Sequence, residues 1–333
     1  MLPVNTSWST DPPSPVRVAS VGLDGAALTS LWVAAWRAEE SERPDALFHD
    51  PYARALAGPE GFELLEAARE VALNEAPFVP VRTIFFDERI VRGSQVVLLG
   101  AGMDARAFRL RWRRGARVFE VELPEVLALK EQRLGSEAPR CMRIPVSANL
   151  TGNWVVALER GGFRPELPSV WLLEGLLLYL DESLVRSVLG NIDALSAAGS
   201  TLLADVIGWT MLWMPQLQPL HDFVRELGAP WKFGTDEPED LLEPLGWEVT
   251  AYDLATVSTE VGRWAWPAIP RGVPGVPRSS LIEAMKPGIL EAPPTGEGPS
   301  FRPQADARLD GSEPSHARRM LRICMSPSRS ARP

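Results

Sequence analysis

The stretch QVVLLGAGMD, at 95–104, constrains this chain more than any other. An apolar run there ends in Gly100-Ala101-Gly102. A second strand-like run, VFEVELP at 118–124, ends among Glu120 and Glu122. In a doubly wound α/β domain the glycine turn after the first strand lets a ligand approach the backbone. The acid after the second strand can accept hydrogen bonds from ribose hydroxyls. The order points to a nucleoside pocket and leaves open which nucleoside.

The rest of the chain keeps that rhythm. Strands are expected at 95–99, 117–121, 141–146, 169–173 and 200–206, with helices at 104–110, 124–134, 154–160 and 182–195. Repeated strand–helix units demand a mainly parallel sheet with right-handed crossovers. Helical spacing precedes them at 18–37, 61–70 and 81–92, and Asp50-Pro51 reads as an N-cap and first position of a helix over 50–56. After 206 comes a Trp-, Met- and Leu-rich segment, 208–228, expected as an inserted helical cap. A helix over 238–245 behind the capping signature Thr235–Pro238, a strand over 247–257 and a last strand at 279–284 follow.

The expected organisation is a loose N-terminus (1–16), one domain (17–285) and an unstructured tail (286–333) without apolar periodicity. The domain divides into a helical lid region (17–93), a ligand-binding core (94–207), the cap insertion (208–235) and C-terminal strands (236–285). The fold class is α/β, doubly wound and mainly parallel, with helical additions.

The net charge of −9 argues against a nucleic-acid partner, since phosphate binding wants a basic face. The most apolar segment, 170–180, is short and carries Glu174, so no membrane span is expected. Cys141 and Cys324 lie far apart with no metal-binding or redox spacing, and no signal peptide is read at the N-terminus. The expectation is a cytoplasmic enzyme with a small-molecule substrate, no metal, and an oligomeric state left open. The 12 tryptophans, against 3 tyrosines, are read mainly as helix packing, although Trp32, Trp36, Trp209, Trp213 and Trp231 could line a cavity.

Polar residues recur at the expected strand ends: Glu120 and Glu122, then Asn149, then Glu174. Ligands bind in that position on a doubly wound sheet. A dinucleotide fingerprint wants a third glycine three residues after Gly102, and Ala105 stands there. Without it a pyrophosphate loses its close approach to the helix. The spacing therefore leans toward S-adenosylmethionine, which has no phosphate, over a nicotinamide cofactor.

Four blocks in this order, LLGAGMDARAFRL, VFEVELPEVLALK, WLLEGLLLYL and GTDEPEDLLEPLGW, resemble the leucine carboxyl methyltransferase-type family of class I S-adenosylmethionine-dependent methyltransferases, its bacterial branch in particular. RAEESERPDALFHDPYARALAG, VRTIFFDERI and GRWAWPAIPRGVPGVPRSSLIEA extend the resemblance over roughly 17–285.

The resemblance implies roles. Arg82 would sit near the methionine carboxylate of the cofactor, and Gly100, Ala101 and Gly102 would form the turn beside the methionine. Glu122 falls where the family has a ribose-binding aspartate. Asn149-Leu150 falls where it has Asp-Leu beside the adenine, and Glu174 would lie near the cofactor's amino group. Glu122 keeps the charge on a longer arm that must fold back, while Asn149 keeps an acceptor oxygen and loses the charge.

The implied activity is O-methylation of a carboxylate or hydroxyl on a small metabolite or natural product. A carboxylate needs no base, being already ionised, whereas a hydroxyl is helped by one. His221 in the cap and Tyr179 after the fourth strand are the candidates, each also readable as a packing residue. His49 reads as a surface or capping residue. Arg106 and Arg109 read either as a grip on a substrate carboxylate or as a solvated helix face. The alternatives are a cofactor-binding homologue acting as a partner protein, and a nicotinamide-dependent reductase.

Overall fold

The computed structural model describes residues 22–288 apart from 24, 73–76 and 266. The expectations for 1–16 and for the tail beyond 288, with Cys324, lie outside the described residues. Three helices come first: α1 (Gly25–Glu42), α2 (Ala53–Val71) and α3 (Phe78–Ile90). The alternating region follows as β1 (Gln95–Leu99), α4 (Arg106–Arg109), β2 (Arg117–Glu122), α5 (Pro124–Leu134), β3 (Met142–Ser147), α6 (Trp154–Arg160), β4 (Val170–Leu173), α7 (Glu182–Ala194) and β5 (Thr201–Ile207). The chain continues through α8 (Trp209–Trp213), α9 (Gln218–Glu226), β6 (Glu248–Asp253), α10 (Leu254–Glu260) and β7 (Ser279–Met285).

One seven-stranded sheet, in the order β3-β2-β1-β4-β5-β7-β6, carries these elements. The first five strands are parallel, and β7 runs antiparallel between β5 and β6. β1 is buried along its whole length, as a central strand covered on both faces must be. Its side chains alternate between two cores. Val96 and Leu98 face the layer built by α1, α2, α3 and α10, and Val97 and Leu99 face α6 and α7.

The chain passes from β1 to β2 on one side and later to β4 on the other. This is the switch point at which such sheets open a crevice at the carboxyl ends of their strands. Register brings the site residues to it. Leu99 pairs with Val121, so the glycine turn and Glu122 emerge side by side, and Leu173 pairs with Ala204, so Glu174 and Asp205 do likewise.

Several expected elements differ. The helix starts at Ala53 and not at Asp50, although the Asp50 carboxylate accepts the Tyr52 N–H at 3.2 Å as a cap would, while pairing with Arg37 at 3.0 Å. The expected helices over 50–56 and 61–70 form one element, α2, kinked at Gly58 (φ 59°) ahead of Pro59. The helix after the glycine turn shrinks to a single turn, since Asp104 bends back to accept the Arg106 N–H at 2.6 Å. The expected helix over 238–245 is two short 3₁₀ turns, Pro238–Leu241 and Glu243–Leu245, because Pro244 supplies no N–H to continue a ladder. The strand expected to run to 257 stops at Asp253, whose carboxylate caps α10 through the N–H groups of Ala255 (2.8 Å) and Thr256 (3.2 Å).

Trp171 on β4 is fully buried, edge-on to Trp154, and donates its indole N–H to Ser196 Oγ at 2.9 Å. Trp171→Ala removes both packing and a satisfied donor and is expected to cost about 3–5 kcal/mol. Urea unfolding should show the midpoint falling with an unchanged slope. A loss under about 1 kcal/mol would contradict this role.

Candidate active site

A cavity of about 810 Å³ opens above the carboxyl ends of β1, β2, β4 and β5, near the upper end of the range for small-molecule sites. Its floor is the turn after β1. Gly100 (φ 70°) and Gly102 (φ 44°) hold a left-handed conformation that only glycine adopts freely. Space excludes side chains as well, because a Cβ on Gly100 would stand 2.9 Å from Leu176 Cδ1 and one on Gly102 2.9 Å from Ser30 Cβ.

Glu122 folds its arm back onto this turn. One carboxylate oxygen accepts the Gly102 N–H and the other the Leu123 N–H, both at 2.7 Å. Burial raises its pKa against the pull of those two N–H groups. Each oxygen retains a second lone pair, and Glu122 lines the cavity. Asn149, past β3, spends its Oδ1 on the Thr151 N–H (2.9 Å) and hydroxyl (2.8 Å), an Asx turn that fixes the loop, and Leu150 lines the wall beside it.

Under the floor runs a buried series of ion pairs. Arg82, from α3, donates Nε to Glu174 and Nη1 to Asp205, each at 3.0 Å, and Asp205 also accepts the Gly175 N–H at 2.6 Å. At Gly175 (φ 62°) a Cβ would stand 3.2 Å from the Arg82 guanidinium, a tight approach in a backbone conformation that favours glycine. Arg106 reaches Glu174 Oε2 at 2.6 Å, Asp87 at 2.7 Å, and Asp104. Arg109 grips both oxygens of Asp87, at 2.5 and 2.7 Å. Arg37 pairs with Asp50 and donates to the Met103 carbonyl at 2.5 Å.

The electrostatics follow from burial set against these partners. Burial opposes the charge on Glu174, but Arg106 and Arg82 outweigh it and hold the pKa below the ordinary value. For Asp205 burial wins over Arg82 and the pKa is raised. The ionised Glu174 and the Arg82 guanidinium thus stand together at the cavity wall, one suited to an ammonium and the other to a carboxylate. With the glycine turn, Glu122 and the Asn149-Leu150 loop around the same space, these donors and acceptors fit an amino acid joined to a nucleoside.

Arg82, Gly100, Ala101, Gly102, Glu122, Asn149, Leu150, Glu174 and Tyr179 all line the cavity. His221 is not among its lining residues and packs edge-on against Trp231 at 5.3 Å. Tyr179 donates its hydroxyl proton to Thr29 Oγ at 3.1 Å, and burial raises its pKa. Glu120 does not reach the cavity. It lies one pleat below the strand end, fully buried between Lys130 (2.8 Å) and Arg143 (2.7 Å). Arg106 and Arg109 are neither solvated nor free to grip a substrate, both being buried within the ion pairs. Sequence reading missed Arg37, Asp87 and Asp205, whose roles depend on distant partners, and Asp104, whose partner Arg106 is only two residues on.

Comparison with known proteins bears on the family and the fold. The family described as leucine carboxyl methyltransferase matches residues 30–193. A candidate S-adenosyl-L-methionine-dependent methyltransferase of Parafrankia sp. (strain EAN1pec) is 40% identical over 260 residues, covering 73% of this chain and 83% of the relative. Another from Streptomyces coelicolor (strain ATCC BAA-471 / A3(2) / M145) is 42% identical over 252 residues, covering 71% and 87%. The crystal structure of a candidate methyltransferase from Thermobifida fusca YX shares the fold, with a TM-score of 0.55 at 17% identity over 84% of this chain and 100% of that one.

Asp104 supplies a test of the ion pairs. Burial works against its charge, yet Arg106, Lys130 and Arg37 lower its pKa from 3.8 to about 2. A depressed folded-state value gives stability that is present above the unfolded value and lost as pH falls through the folded one. Asp104 is expected to contribute about 2 kcal/mol near neutrality, lost between about pH 4 and pH 2. Urea unfolding of Asp104→Asn should lack that part of the acid limb. An acid limb identical to that of the unaltered protein would contradict the pairing.

Proposed function

Because this chain belongs to the S-adenosyl-L-methionine-dependent methyltransferases of the leucine carboxyl methyltransferase family, we propose that it methylates an oxygen, carboxylate or hydroxyl, of a small metabolite or natural product. The observation that carries the reading is the Glu174–Arg82 pair at the wall of the cavity beside the glycine turn. In this reading Arg82 binds the cofactor's carboxylate, Glu174 its ammonium, Glu122 its ribose, and the Asn149-Leu150 loop borders its adenine. Bound there, S-adenosylmethionine supplies an electrophilic methyl group on a sulfonium.

The chain's own residues then align and exclude water. Methyl transfer is an in-line displacement, so orientation and a dry cavity lower most of the barrier. The helical region before β1 and the 208–235 segment contribute Trp32, Trp36, Met211, Met214 and Trp231 to the wall and serve as the substrate-side cover. A carboxylate acceptor is already ionised. A hydroxyl acceptor must give up its proton, and Tyr179 is a poor relay: its hydrogen bond passes to Thr29, and Thr29 donates to the Ala26 carbonyl at 2.7 Å, which takes no proton. Among the described residues no helix is long and apolar enough to cross a membrane.

Incubating the protein with a host extract and methyl-labelled S-adenosylmethionine, followed by mass spectrometry, is expected to place the label on oxygen of a small molecule. Label on nitrogen or carbon, or none, would overturn the reading. Glu174→Gln keeps shape and loses charge. Calorimetry should show S-adenosylhomocysteine binding at least about tenfold more weakly, the loss of a charge-assisted hydrogen bond. Unchanged affinity would remove Glu174 from the amino-group site.

A further inference from the structure

The acceptor side of the cavity differs in chemistry from the cofactor side. Trp32 and Trp36 stand one turn apart on α1, Met211, Met214 and Leu217 come from the segment after β5, and Trp231 closes the wall. Trp32 is propped by Phe223, with ring centroids 6.1 Å apart, and Trp231 by His221. Flat indole faces and polarisable sulfurs of this kind favour ring-bearing apolar ligands.

What the wall withholds is as informative. Among the described lining residues the cations are Arg37, Arg69, Arg82 and Arg278, and each is already matched. Arg37 is held by Asp50, Arg69 by Glu39 and Glu66, and Arg82 by Glu174 and Asp205. Arg278 is held by Asp253 at 3.2 Å and by the carbonyls of Ile269 (2.7 Å) and Pro270 (2.5 Å). The hydroxyl protons of Thr29, Ser30 and Ser258 are spent too, each donated to a carbonyl three or four residues earlier in the same helix.

An anion entering here would lose its water and gain no counter-charge, and a buried charge without a partner is costly. A cation fares no better: Glu122 and Glu174 are assigned to the cofactor, Asp104 is paired with Arg106, Asp205 with Arg82 and Asp253 with Arg278. We infer that the acceptor compartment selects an uncharged, ring-bearing apolar molecule, which narrows the acceptor proposed above from carboxylate or hydroxyl to hydroxyl. This rests on cofactor and acceptor sharing the cavity as proposed above.

Three probes with one ring system test it: 2-naphthol, 2-naphthoate and 2-naphthylmethylammonium, neutral, anionic and cationic near pH 7. Each is titrated by calorimetry into the full chain saturated with S-adenosylhomocysteine. The neutral probe is expected to bind at least about tenfold more tightly than either charged one, as the cost of burying an unpaired charge requires. Equal or tighter binding of a charged probe, or no binding of the neutral one, overturns the inference. Met214→Lys places a cation in the wall and should raise naphthoate affinity at least about fivefold, the scale of a partly buried ion pair. No gain there also counts against it.

S-adenosylhomocysteine binding, read in the same cell, keeps the two claims apart. If it binds while the naphthol preference fails, only the charge selection falls. If it does not bind, the cofactor reading falls.

Discussion

A buried series of guanidinium–carboxylate pairs joins the parts of this protein that sequence leaves separate. It begins at Arg37 on α1 and passes through Asp50, Arg109, Asp87 and Arg106 to Glu174. It ends through Arg82 at Asp205 on β5. Each member is buried or nearly so. Removing one would strand its partners in a low-dielectric interior, where an unmatched charge costs about 3–5 kcal/mol. The helices before the sheet are thereby fixed over its switch point. The pairs among Arg37, Arg82, Arg106 and Arg109 take up five carboxylates, Asp50, Asp87, Asp104, Glu174 and Asp205. That small acidic excess suits a ligand carrying ammonium and sulfonium cations.

Strand register does the rest of the placement. Parallel pairing of Leu99 with Val121 and of Leu173 with Ala204 sets the glycine turn beside Glu122 and Glu174 beside Asp205. Glu122 shows how a longer acid is accommodated: its carboxylate turns back to cap the Gly102 N–H, so the turn and the end of β2 are tied by one side chain. Asn149 is likewise engaged locally, and the loop after β3 is shaped by its bond to Thr151.

The parts legible in the sequence were those set by local pattern. β1, α5 and α6 fall where period and caps put them, because each is bounded by glycine, proline or a clear change of periodicity. The nine residues expected to bind or line the pocket around the glycine turn and Tyr179 do share one cavity. What stayed hidden depends on partners far along the chain. Arg106 and Arg109 look like a solvated helix face until Asp87, about twenty residues earlier, folds against them. Glu120 reads as a second pocket acid because it stands with Glu122 near the expected strand end, but β2 runs two residues further and leaves it beside Lys130. The short 238–245 turns and the cap of α10 at Asp253 were signalled by Pro244 and by Asp253 ahead of Leu254, local cues outweighed by apolar runs.

The central claim is that the cavity resting on these ion pairs binds the methyl donor. Hydrogen–deuterium exchange of the full chain, with and without S-adenosylhomocysteine, tests it most directly. Slowed exchange is expected in the segments 98–104, 121–124, 148–151 and 174–179 and in α3 around Arg82. Protection confined to other segments, or none at saturating ligand, would contradict it.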